Sequence, residues 1–209
     1  FVPLFDKKFN LNEKNETAVW FAWAFYHLKD FEQVKHYAKF FSPKDIKQQI
    51  FIILYCISSG DLEKAGPIIE KSFEILAESR GAFNGSDTGL ATKLLVSAQH
   101  LIELKEALKV KKMSSNENSN HNDGFIDSNA VSRMWKRRLE SFRHGSDAWM
   151  KLIEIRSLLL SPEEHIDACL KMISALRKER QWRLIDRYFT RLFASVKSPL
   201  VILSEAKIK

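Results

Sequence analysis

The sequence predicts an all-α fold, an α-solenoid of antiparallel helix pairs of the tetratricopeptide or HEAT kind, stacked into a curved superhelix. Three observations predict it. Apolar residues recur at steps of three and four along most of the 209 residues, the spacing that gathers side chains on one helix face. Glycine and proline are scarce, at 7 and 5 residues, and alternating Val- and Thr-rich runs that would mark strands are few. The breaks that do occur fall between periodic segments and carry residues that end or start helices.

The elements follow in order. Ala18, Trp20, Phe21, Trp23, Ala24, Phe25 and Leu28 make the first helix apolar on most sides, which predicts burial between neighbours. Asp30 opens a short amphipathic helix with Phe31, Val34, Tyr37, Ala38 and Phe41 inward. Ser42-Pro43 stops it, because proline disfavours helix in the preceding residue and cannot continue the ladder. Ile46, Ile50, Phe51, Ile53, Leu54 and Ile57 form the third helix. Ser58-Ser59-Gly60-Asp61 ends it and caps the next, which Leu62, Ala65, Ile69, Phe73 and Leu76 carry. Asp30 and Asp61 hold matching places 31 residues apart, near the roughly 34-residue tetratricopeptide period. After a loop at 81–89, a long helix is expected over 88–109, with Leu90, Leu94, Leu95, Ala98, Leu101, Ile102 and Leu108 inward and His100 near that face.

Residues 114–124 read SSNENSNHNDG, a polar run that cannot bury enough surface to offset its ordering entropy. A flexible insertion at 113–128 is therefore expected to separate a helical block at 1–112 from a second at 129–195, with 196–209 as a tail or the start of a further repeat. In the second block Trp135, Leu139 and Phe142 mark one helix and His144-Gly145-Ser146-Asp147 a turn. Trp149, Leu152, Ile153 and Leu159 mark the next helix. Ser161-Pro162-Glu163-Glu164 predicts an N-cap, with proline at the first helical position and acids in the first turn. Ile166, Leu170, Ile173 and Leu176 follow, and Trp182, Ile185, Phe189 and Leu192 close the series.

Composition narrows the function. Cys56 and Cys169 sit among apolar neighbours inside expected helices and read as buried free thiols. Gly81, Gly85 and Gly89 lack the Lys-Ser/Thr that completes a phosphate loop. The six histidines are scattered and form no metal-ligand spacing. The Glu163-Glu164 pair is explained by its helix N-terminus rather than by catalysis. The expectation is a non-catalytic segment without a metal site. No signal peptide is visible, and the most apolar run, 50–57, is far short of the roughly 20 residues a membrane span needs. A cytoplasmic location is expected, with the nucleus or an endomembrane surface as variants. The first residue is Phe1 rather than Met, which predicts a processed product or a fragment of a longer protein.

The net charge is +7, of which residues 130–193 hold +6. Arg180, Arg183, Arg187 and Arg191 recur at steps of three and four and line one side of the last helix, with Arg177 and Lys178 upstream and Lys136, Arg137, Arg138 and Lys151 on neighbouring helices. Such a face can grip phosphates, or it can stand solvated with local acids such as Asp186 as partners.

The run at 132–194 also resembles a known family. Trp135, Arg138 and Leu139 match a W-x-x-R-L helix; Asp147, Trp149 and Lys151 match D-x-W-x-K; 155–158 with Ser161-Pro162 match an R-S-L…S-P element. Together they resemble the helical-repeat FAT region of the target-of-rapamycin (TOR) kinases, within the phosphatidylinositol-3-kinase-related family. The order and spacing of the first block are similar, so the resemblance covers about 15–195. It departs at the Asn/Ser insertion and at Arg180-Gln181-Trp182, which lacks the usual small residues.

The resemblance implies a C-shaped solenoid that wraps and restrains a serine/threonine kinase domain on the same chain and helps to assemble TOR-complex subunits. The parent kinase would use ATP and Mg outside this segment. It also implies an inositol-phosphate pocket in this region, with Lys151 and Arg187 at basic positions of that kind. With Arg183 and Arg191 from the same face, these make a candidate site for inositol hexakisphosphate. A membrane span and DNA binding are not expected. A different class of reading is a free-standing helical-repeat adaptor that binds protein or RNA.

Overall fold

The computed structural model describes residues 11–81, 88–115, 128–139 and 145–193. Among these residues there are nine helices and no strand. In chain order they are α1 (Leu11–His27), α2 (Phe31–Ala38), α3 (Ile46–Ser59), α4 (Leu62–Gly81), α5 (Thr88–Ser115), α6 (Ser128–Arg138), α7 (Ser146–Arg156), α8 (Ile166–Lys178) and α9 (Trp182–Phe193). They belong to two compact units, 1–101 and 102–209. The division falls inside α5, ahead of the Asn/Ser stretch expected to separate the blocks. Helix α5 itself runs to Ser115, past the expected end at Lys109. Of the expected insertion, 116–127 lie outside the described residues, as does the tail at 194–209.

In the first unit, α1 packs on α2 and α3 on α4. Ala18, Ala22 and Tyr26 of α1 face Val34 and Tyr37 of α2, and Ile50, Phe51, Ile53, Leu54 and Ile57 of α3 meet Ala65 and Ile69 of α4 in a buried apolar layer. Aromatic contacts knit α1 to both neighbours: Phe21 stacks on Tyr37 at 5.0 Å, and Trp23 meets Phe51 edge-on at 4.7 Å. The Tyr26 and Ser58 hydroxyls hydrogen-bond at 2.8 Å. Gln48, buried at the start of α3, is satisfied by accepting from the Ser42 N–H at 2.6 Å and donating to Asn15 Oδ1.

Helix α1 is not buried all round. Trp20 and Leu28 are 78% and 73% exposed. The buried line Ala18–Ala22–Tyr26 advances by four, so Trp20, Ala24 and Leu28, offset from it by two residues, fall on the opposite side. Leu95, also expected inward, is 69% exposed. Trp182 is half exposed, because α9 offers Ile185 and Tyr188 to its partners instead.

Among the described residues, the second unit contains two apolar clusters. Trp149, Leu152, Ile153, Ala168, Cys169, Met172, Ile173, Leu176, Ile185 and Tyr188 join α7, α8 and α9. Ala107, Val110, Val131, Trp135 and Leu160 join the end of α5 to α6 and to the segment after α7. Both cysteines are free and buried. The expected helix start at Ser161-Pro162 is displaced. Residues 162–165 form a separate turn, closed by Glu164 N–H to the Ser161 carbonyl at 3.1 Å, and α8 begins at Ile166 with His165 at its N-cap. The Glu164 carboxylate accepts the Ser161 N–H at 2.7 Å, half of a capping box without the helix behind it.

Three hairpins share one turn. Lys29, Gly60 and Arg180 take left-handed backbone, with φ of 60°, 84° and 57°. In each, the next residue donates its N–H back five positions: Asp30 to the Phe25 carbonyl, Asp61 to Cys56 and Gln181 to Leu176, at 2.9–3.0 Å. The left-handed residue itself donates three back, to Tyr26, Ile57 and Arg177. This is the Schellman closure of a helix end. Arg180 therefore occupies the position where a small residue was missed in the sequence. A side chain in left-handed backbone costs about 1–2 kcal/mol, part of which the entropy of an unfolded glycine would cancel. Arg180→Gly is expected to raise stability by about 0.5–1 kcal/mol, read as a higher denaturation midpoint.

Candidate functional site: a buried ionic network and a basic helix face

Two acids one turn apart on α5 organise the second unit. Glu106 Oε2 accepts the Trp135 indole N–H at 2.7 Å, and its two oxygens receive both terminal nitrogens of Arg138 at 2.7 Å each. Trp135 and Arg138 lie three apart on α6, on one face, so a single carboxylate serves both. That hydrogen bonding holds the Arg138 guanidinium above its ordinary pKa.

Glu103 is met by Arg156 at the end of α7, through Nε at 2.9 Å and Nη2 at 2.8 Å. Arg156 Nη2 also donates to the Trp135 carbonyl at 3.0 Å, and its guanidinium lies 5.5 Å from the Trp135 ring centroid. Glu103, Arg156 and Trp135 are 0–1% exposed. A buried charge pair recovers its desolvation cost only with close geometry and satisfied hydrogen bonds, and here both conditions hold.

Polar links also join α6, α7 and α8. Glu179, at the end of α8, accepts the N–H of Ser146 at 2.8 Å and its hydroxyl as well. Those bonds keep the Glu179 carboxyl below its ordinary pKa and cap α7, whose N-cap residue Gly145 has no side chain to do so. Lys171 Nζ donates to the Leu139 carbonyl at 2.9 Å, and Lys136 pairs with Asp167 at 3.1 Å. Burial pushes the Cys169 thiol up to about 12 and His165 down to about 4. Both are uncharged near neutral pH, and Cys169 is not a nucleophile. Among the described residues no group of His, Cys, Asp or Glu is arranged to hold a metal ion.

The four residues of the candidate anion site are placed as follows. Lys151 is largely buried on α7 and bonded to Asp147 of its own helix at 2.9 Å. Arg183 and Arg187 stand one turn apart on the exposed face of α9, without an ion-pair partner among the described residues. Asp186 is exposed beside them and forms no ion pair among those residues. Arg191 belongs to the last turn of α9, and its side chain lies outside the described residues. Of the flanking cations, Lys136 and Arg138 are already paired with acids, while Arg177, Lys178 and Arg180 are exposed. Sequence reasoning missed the Glu103 and Glu106 pairs. The available signal was Glu103 itself, an acid set between the apolar positions Leu101 and Leu104.

Helical hairpins closed by one repeated turn, with a buried ionic network and no strand among the described residues, define a helical-repeat protein. The chain belongs to the FAT domain family, whose profile matches residues 16–209. It is similar to the serine/threonine-protein kinase tor1 of Schizosaccharomyces pombe, 26% identical over 166 residues, covering 79% of this chain and 7% of the relative. It is also similar to the serine/threonine-protein kinase TOR2 of Saccharomyces cerevisiae, 21% identical over 85% of this chain and 7% of the relative. The serine/threonine-protein kinase mTor of Drosophila melanogaster is 22% identical over 90% of this chain and 7% of the relative. The chain thus spans about 7% of the length of these curated relatives.

Proposed function

We propose that this chain is a non-catalytic scaffold segment of a TOR-like serine/threonine protein kinase. It wraps and positions a kinase domain on the same polypeptide and offers surface to the subunits of a TOR complex. The observation that carries this reading is the FAT match over 16–209 together with relatives that are all TOR kinases. The buried network supports it, because a scaffold must hold its helices in fixed register under load from its neighbours. The test is the transcript read across both ends of the segment. An in-frame kinase catalytic loop and D-F-G downstream are the expected result. A stop codon soon after Lys209 would sink the kinase reading and favour a small repeat adaptor.

The finer part of the proposal is that the basic face takes an inositol polyphosphate as a structural ligand. Its support is the exposed pair Arg183 and Arg187 within a basic block, since convergent guanidinium groups suit phosphate oxygens. Titration of the intact parent with inositol hexakisphosphate at low salt is expected to show saturable binding that Arg183→Ala with Arg187→Ala weakens. Binding that ignores the double substitution moves the site elsewhere.

A further inference from the structure

The turn between α7 and α8 carries a Ser-Pro step that the scaffold role leaves unused. Ser161 is exposed, stands outside any helix, and is followed by Pro162. Its hydroxyl has no hydrogen-bond partner among the described residues, while its backbone N–H is held by Glu164. The other described Ser-Pro step differs at each point. Ser42 is half-buried, its N–H and carbonyl are taken by Gln48 and Gln49, and its hydroxyl accepts from the Lys44 N–H. One Ser-Pro step is therefore locked into the fold and the other is presented on it.

A second, independent feature lies beside Ser161. His165 is 4% exposed, and neither ring nitrogen has a hydrogen-bond partner. The Ser161 backbone flanks the ring without reaching hydrogen-bond geometry, Arg156 and Glu154 face it from α7, and Glu164 faces it from its own turn. A buried imidazole with both nitrogens idle is an unmet hydrogen-bonding capacity, next to a free hydroxyl in a proline-marked turn.

We propose that Ser161 is a phosphate-acceptor site for a proline-directed serine/threonine kinase, and that His165 is the group that answers the new charge. In the transfer, the Ser161 oxygen bonds to the γ-phosphorus of a magnesium-bound nucleoside triphosphate. The bond from that phosphorus to the β–γ bridging oxygen breaks, the nucleoside diphosphate leaves, and the hydroxyl proton passes to a carboxylate of the modifying kinase. Pro162, lacking an N–H, suits a kinase whose pocket offers that position no hydrogen bond.

The phosphate brings about −1.5 to −2 charge into a turn that already holds Glu163 and Glu164. Like charges repel, the Glu164 carboxylate loses its hold on the Ser161 N–H, and the capping turn loosens. The His165 imidazole leaves its buried position and donates an N–H to the phosphate. The modification would thus unseat the start of α8 from α7.

The test is to incubate the intact parent protein with Mg-ATP and a recombinant proline-directed kinase, then map phosphate by mass spectrometry. Phosphate at Ser161, lost in Ser161→Ala and in Pro162→Ala and absent from Ser42, is expected. The same samples are treated with diethyl pyrocarbonate, which modifies accessible imidazoles. His165 is expected to be protected before phosphorylation and modified after it. An unlabelled Ser161 in the folded protein, or label on Ser42 alone, overturns the acceptor site. Phosphate on Ser161 with His165 still protected overturns the response assigned to the imidazole.

Discussion

Replacing Arg156 with Met is expected to cost about 3–5 kcal/mol of stability, because it strips the fully buried Glu103 carboxylate of the guanidinium that engages both of its oxygens. Against the roughly 5–15 kcal/mol that folds a typical domain, this is a loss most proteins cannot absorb. The partner experiment separates charge from packing. Glu103→Leu combined with Arg156→Met removes both charges and keeps much of the volume, so most of the stability is expected to return. Urea denaturation of the single and double variants checks it. A single variant within about 0.5 kcal/mol of the parent would mean that the pair is not a structural element, since that is the range of ordinary surface substitutions.

Acid is expected to weaken the second unit as pH falls below 6.5. His165 has an ordinary pKa of 6.5 and is held at about 4, mainly by burial. Above pH 6.5 the imidazole is neutral in the folded and unfolded chains alike, and nothing is lost. Below 6.5 the unfolded chain takes up a proton that the folded one refuses until about pH 4, so stability declines as pH falls through that window. At about 1.4 kcal/mol per unit, the decline amounts to about 3 kcal/mol. Glu179, whose carboxyl lies below its ordinary 4.5, acts only at the lower edge of the window. Denaturation midpoints measured from pH 7 to 4.5 are expected to fall for the parent and to stay nearly flat for His165→Gln. A slope unchanged in that variant would place the acid sensitivity on another group.

The helices were legible because their periodicity is strong and their stops are explicit. Asp30 and Gly60 act where local chemistry says they should, the first by accepting an N–H of the helix it opens and the second by closing a helix in left-handed backbone. What was not legible has physical reasons. Trp20 and Leu28 look buried in a window of apolar residues, but only the neighbours of α1 decide which side is covered. Ser161-Pro162-Glu163-Glu164 has every mark of a helix start, yet closes a separate turn ahead of α8. Arg180 takes a backbone conformation that its residue type disfavours, because the hairpin geometry demands it. In the candidate site, the W-x-x-R spacing was visible, but its reason, one carboxylate on a helix some thirty residues earlier, is a tertiary fact. The exposure of Arg183 and Arg187 was readable from spacing, and so was the tie of Lys151 to Asp147, four residues earlier on the same helix, which the reading of Lys151 as an anion ligand overlooked.

Glu103 and Glu106 work as the two cuts of a key. Sliding α5 by one helical turn, about 5.4 Å, would carry each carboxylate out of its cradle and toward an apolar layer. A polypeptide made of many look-alike hairpins offers each of them several wrong neighbours during folding. A pair of acids matched to one indole and two particular guanidinium groups disfavours those mismatches, so the network can sort correct from incorrect assemblies as well as hold the finished one together.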